Sequence, residues 1–149
     1  MLELLFAAAA ASAPTLNQAA LQPWSSFVGH CWSGAAPGKG VDTHCFESVY
    51  GGQHVRDRHE VTIEGKAVYA GETLYSVEGK NVTFTYWNSI GGVGRGRATA
   101  NGDKLEFSGD IRATPASPSE HFTASWHKVD GGYEVSDQGR TNSLFRRAD

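Results

Sequence analysis

From residue 27 to the C-terminus, apolar and polar positions alternate in short runs rich in aromatic and β-branched residues, and clusters of Gly, Asn and Asp interrupt them at short intervals. A period of two with these residue types predicts strands, not helices. The pattern places strands at 27–34, 41–50, 54–63, 67–77, 81–88, 95–100, 104–112, 120–129, 132–137 and 142–147. Gly51-Gly52, Glu64-Gly65, Glu78-Gly79-Lys80 and Asn101-Gly102 read as the breaks; Asn101-Gly102 is a two-residue turn signal because both residues tolerate positive φ. Hairpin-length connections imply an up-and-down meander. A meander of about eight to ten strands either exposes two edges or closes on itself, and closure removes the aggregation hazard of free edges. The expected fold is therefore all-β, a single up-and-down antiparallel β-barrel, with a β-sandwich as the alternative. Ahead of it, Thr15-Leu16-Asn17-Gln18 matches a capping box and predicts a short N-terminal helix that Pro23 stops.

Further upstream, Leu4 to Ala11 is apolar and ends in Ala11-Ser12-Ala13, the small-x-small pattern of a signal-peptide cleavage site. Residues 1–13 accordingly read as a signal peptide and 14–149 as one barrel domain, which places the protein in the periplasm or outside the cell. No Lys or Arg precedes the apolar stretch, so an alanine-rich helix on a cytoplasmic protein is the competing reading. The stretch is too short to span a bilayer.

Composition narrows the partners. The 149 residues carry a net charge of −3 with no basic run, which offers no electrostatic footprint for nucleic acid or an anionic membrane. Four Trp, five Tyr and seven Phe supply material for a core and a pocket.

The two cysteines each follow a histidine, as His30-Cys31 and His44-Cys45. Neighbouring side chains of a strand point to opposite faces, so neither pair converges on one metal ion, and no metal site is expected. A hairpin centred on Pro37-Gly38-Lys39 sets Cys31 opposite Cys45, where an oxidising compartment would join them in a disulfide.

Polar residues gather at 54–60. Alternation puts His54, Arg56, Arg58 and Glu60 on one face and Val55, Asp57, His59 and Val61 on the other, which is the more apolar. The first face is a solvated outer wall, or, if it faces inward, Arg56 or Arg58 would receive a ligand carboxylate as a bidentate fork. Glu72 shares this ambiguity. On the strand at 81–88, Val82, Phe84, Tyr86 and Asn88 form the expected inner set, so Tyr86 and Asn88 would be polar handles in an aromatic cavity. His127 shares a face with His121, either a polar inner stripe or an exposed outer one. The Gly91 to Arg97 stretch is glycine-rich but lacks the spacing of a nucleotide-binding loop.

The segment Phe27-Val28-Gly29-His30-Cys31-Trp32-Ser33-Gly34, with Ser143-Leu144-Phe145-Arg146-Arg147 at the far end, resembles the signatures of the calycin superfamily. Asp42-Thr43-His44-Cys45-Phe46, Val49-Tyr50-Gly51-Gly52, Gly71-Glu72-Thr73 and Tyr86-Trp87-Asn88-Ser89 are similar to segments of uncharacterised bacterial lipocalin-like proteins. The resemblance implies a barrel whose first-strand Trp, here Trp32, packs against an Arg of the last strand, Arg146 or Arg147, by cation–π contact. Nitrobindin-like relatives ligate haem through a histidine near the chain end; the last strand here has none, His127 is the nearest substitute, and no cofactor is expected.

The functional expectation is a binding barrel holding a small apolar or amphipathic molecule, with Arg58, Glu72, Tyr86, Asn88 and His127 as candidate ligand-binding residues. Two alternatives stand beside it: an isomerase- or cyclase-like acid–base enzyme using His59 with Asp57 or Glu72 with His127, and a filled barrel acting as an interaction module. No nucleophile elbow or reactive-cysteine context favours catalysis.

Overall fold

Residues that alternate along the sequence alternate across the wall of a closed barrel. The computed structural model describes residues 15–138 and 143–149; the expected leader at 1–13, and residue 142 at the start of the last predicted strand, lie outside the described residues. Ten strands follow in order: β1 (Cys31–Ala36), β2 (Gly40–Val49), β3 (His54–Ile63), β4 (Lys66–Glu78), β5 (Asn81–Asn88), β6 (Val93–Asn101), β7 (Lys104–Arg112), β8 (Glu120–Val129), β9 (Gly132–Asp137) and β10 (Ser143–Arg147). Each pairs antiparallel with the next, and β10 returns to β1 through Trp32 opposite Arg147 and Ser33 opposite Arg146. Closure leaves no free edge.

Two local expectations are corrected. The capping box does not form: the helix is a 3-10 segment at Ala19–Trp24, with Pro23 inside it and no side-chain bond from Gln18 at its start. Residues 15–18 are instead tied to the turn after β2, where the Asn17 amide donates to the Gly52 carbonyl at 2.9 Å and Ser48 donates to the Thr15 carbonyl at 2.7 Å. The first strand also begins later than 27. Backbone bonds from Phe27 and Val28 to the Trp24 carbonyl prolong the turn, and Gly29 at φ 85° redirects the chain before Cys31.

The consequence is a plugged end. Leu21, Trp24 and Phe27 are buried against Trp32, Phe46, Val55, Tyr75, Trp126 and Tyr133, forming an aromatic core at one end of the barrel. Phe27 alone has ring contacts to Trp32, Phe46, Trp126 and Tyr133. Arg147, on the face shared with Trp32, lies 5.5 Å from the centre of the Trp32 ring. Arg146, which the sequence offered for this part, sits opposite Ser33 on the other face and is exposed.

Cys31 and Cys45 are paired in register, Cα atoms 4.1 Å apart, and form a disulfide between β1 and β2. Among the described residues no helix is long and apolar enough to cross a membrane.

Candidate functional site

The end opposite the plug stays open, because there the inward positions are polar or small. Asp42 and His44 from β2, Asp57 and His59 from β3, Tyr69 from β4, Tyr86 from β5, Gly94 from β6 and Asp137 from β9 line a cavity of about 420 Å³, with Phe84, Phe107, Ile111, Phe122 and Trp126 as its apolar wall.

The hairpin register brings the polar side chains together. His44 stands opposite His59, and their rings stack at 4.6 Å with 19° between planes. His44 Nδ1 donates to both oxygens of Asp57, at 2.9 and 2.8 Å, and Nε2 donates to Asp42 at 3.2 Å. The other Asp42 oxygen accepts from His59 Nδ1 at 3.0 Å. His59 Nε2 is 3.2 Å from the Tyr86 hydroxyl, which is 2.7 Å from that of Tyr69. Six side chains thus form one hydrogen-bonded chain from the core to the cavity.

Its inner end is deeply buried: the Asp57 side chain is 2% exposed and that of His44 16%. Burial opposes a charge on His44, but the attraction of Asp57 and the hydrogen bonds to both carboxylates outweigh it and push the imidazole up to about 10. Asp42 is likewise disfavoured by burial, yet its bonds to His44 and His59 hold it well below the usual carboxylate range. Burial, the Tyr69 hydroxyl and the nearby carboxylates push the Tyr86 phenol up, so it stays protonated. His44 is therefore an imidazolium clamped between carboxylates.

One glycine makes the contact between β3 and β5 possible. A Cβ on Gly71 would lie 2.6 Å from the Tyr86 ring and closer still to His59 Nε2, so only glycine lets these side chains meet above β4. Gly94 differs: a Cβ there would meet Ile111 and Tyr86 at an ordinary 3.5 Å, and the space above it belongs to the cavity.

Asp42, His44 and His59 can each present one ligand atom within 4.8 Å of the others. Imidazole binds metals in its ring plane, and the near-parallel stack of the two rings keeps both lone pairs from one ion unless a ring rotates. The arrangement fits a proton-bearing network better than a metal centre.

Of the five ligand-binding candidates, Tyr86 reaches the lumen. Arg58 is on the outer wall, 56% exposed and paired with Glu47 at 2.6 Å, and Arg56 shares the same carboxylate at 2.7 Å. Glu72 is beside Arg58 on that outer face. Asn88 shares the inward parity of Tyr86, but its side chain holds the β5–β6 turn, accepting from the amides of Ile90 and Gly92 and donating to the Ala113 carbonyl. His127 faces outward beside Lys104 and Glu134. Arg58, Glu72 and Asn88 do border one hollow of about 720 Å³ with Trp87, but its floor is the outer face of the sheet, outside the lumen. His59 and Asp57 fall inside, as their apolar-face alternation implied, though Asp57 orients His44 and Asp42 orients His59.

Asp42, His44 and Tyr69 were not among the expected site residues. The signal for the first two was available: the Gly51-Gly52 turn fixes a register that places His44 opposite His59, and Asp42 shares the face of His44. Tyr69 meets Tyr86 diagonally across the sheet, a contact no simple pairing shows.

No protein-family model and no curated protein matches the chain. Among solved structures it is similar to the crystal structure of Rv2717c from M. tuberculosis, 15% identical over 91% of this chain and 100% of that one, with a TM-score of 0.61; the likeness is one of fold.

Proposed function

We propose that the protein binds a small apolar or amphipathic molecule in the open end of the barrel. The observation that carries this reading is the cavity of about 420 Å³ whose aromatic wall is interrupted by one connected polar chain. Such a pocket takes up an apolar body by burying it and orients it through a few polar groups. A filled barrel would leave no reason to keep Asp42, His44 and His59 partly solvated on the inner face, where apolar residues would pack with no desolvation cost. The disulfide supports export to an oxidising compartment, consistent with reading residues 1–13 as a leader. The barrel order, with Arg147 over Trp32, supports the calycin assignment.

Native mass spectrometry of protein purified from the exporting compartment of its own host tests the reading. The expected spectrum shows a non-covalent small-molecule adduct that disappears in Gly94→Val, which fills the lumen. Bare protein for the wild type, or an adduct that the variant retains, would count against the lumen as the site.

Acid–base chemistry on the bound molecule is a second reading, favoured by the Asp42–His59–Tyr86 chain, which has the order of a carboxylate orienting an imidazole toward a hydroxyl. It requires turnover of the captured ligand that His59→Gln abolishes without abolishing capture.

A further inference from the structure

The direction of the hydrogen bonds determines what the lumen offers a ligand. A carboxylate only accepts, so Asp42 accepts a hydrogen bond from each histidine, and His59 Nδ1 carries its hydrogen. In the neutral ring this leaves Nε2 as an acceptor, and the Tyr86 hydroxyl is the donor within reach. Tyr86 then has no proton left for Tyr69, so Tyr69 donates to Tyr86. In this arrangement every N–H and O–H of the chain is used internally. What remains at the cavity surface is lone pairs on the phenol oxygens.

Charge points the same way. The lining carries three carboxylates, Asp42, Asp57 and Asp137, and among the described residues no Lys or Arg. His44 balances one of them, and the lining formed by the described residues stays net negative whether or not His59 is protonated.

We infer that the lumen selects a ligand presenting a hydrogen-bond donor or a positive charge, such as an amine on an apolar body, and rejects carboxylates. This rests on the lumen being the binding site and reverses the polarity of the Arg58 fork considered from the sequence. The carboxylate-recognising side chains Arg56 and Arg58 are on the outer wall, already held by Glu47.

The test uses three probes with one ring system, 1-naphthylmethylamine, 1-naphthylmethanol and 1-naphthoate, titrated calorimetrically into the full chain at pH 7.5. The expected order is amine, then alcohol, then carboxylate, with at least tenfold between the first and last. Asp137→Asn removes an exposed rim carboxylate outside the hydrogen-bonded chain, and is expected to narrow the amine-to-carboxylate ratio severalfold while leaving the alcohol unchanged. Tightest binding by naphthoate, or no preference among the three, overturns the inference and leaves the lumen reading intact. Failure of all three to bind overturns the lumen reading itself, and the inference with it.

Discussion

His44 makes the folded protein sensitive to alkali in a way its sequence does not advertise. Its imidazolium ordinarily loses its proton near 6.5, whereas between Asp57 and Asp42 it does so at about 10. A cation stabilised in the folded state contributes stability that is fully present below 6.5 and is lost as pH rises through the folded value. At about 1.4 kcal/mol per pH unit, the interval corresponds to roughly 4–5 kcal/mol. That agrees with the roughly 3–5 kcal/mol cost of leaving one partner of a buried ion pair uncompensated. Urea unfolding from pH 6 to 10.5 at constant ionic strength measures it, with His44→Gln as the reference, because alkaline effects unrelated to His44 are common to both proteins. The expected difference curve is flat below pH 6.5 and falls by several kcal/mol toward pH 10. The two proteins losing stability in parallel would refute the reasoning, as would an NMR titration placing His44 near 6.5.

Three other perturbations have signs the structure determines. Reduction of Cys31–Cys45, or the double Cys→Ala variant, frees a link across 14 residues and is expected to cost about 3 kcal/mol in chemical denaturation. The Tyr133 hydroxyl is fully buried with no hydrogen-bond partner among the described residues, so Tyr133→Phe is expected to hold or raise stability by up to about 1 kcal/mol, and a marked loss of melting temperature would mean that the hydroxyl is satisfied after all. Gly71→Ala forces His59 and Tyr86 apart and should destabilise the barrel by about 1–3 kcal/mol, with the His59 and Tyr86 NMR signals shifting together; unchanged signals would show that the two side chains do not meet over Gly71.

The barrel was legible because its rules are local. Period-two alternation located the walls from Gly40 to Val129 within a residue or two, and the Pro37-Gly38-Lys39 turn carried enough register to pair Cys31 with Cys45. The plug was not, since residues 27–30 look like strand until Gly29 and the bonds to Trp24 bend them inward. For the candidate site, reading one strand at a time put His59 and Tyr86 on inner faces but left open the direction of Arg58 and Glu72, which the pairing of Arg58 with Glu47 shows to be outward. Asn88 has the inward parity of Tyr86, and its amide, at a strand end beside Gly91-Gly92, holds the turn. The connected chain depends on diagonal contacts over Gly71, and on barrel closure to bring Phe122 and Trp126 across from it, information held by no single strand.

The central claim is that the lumen, not the outer wall, receives the ligand. Its most direct measurement is the titration of the neutral fluorescent probe N-phenyl-1-naphthylamine into wild-type protein and into Gly94→Val, with circular dichroism showing both folded. Saturable fluorescence enhancement is expected for the wild type, lost in the variant because the new side chain occupies cavity space without clashing at the backbone. Equal binding by both proteins would contradict it and move the site elsewhere, with the outer hollow beside Trp87 as the place to look.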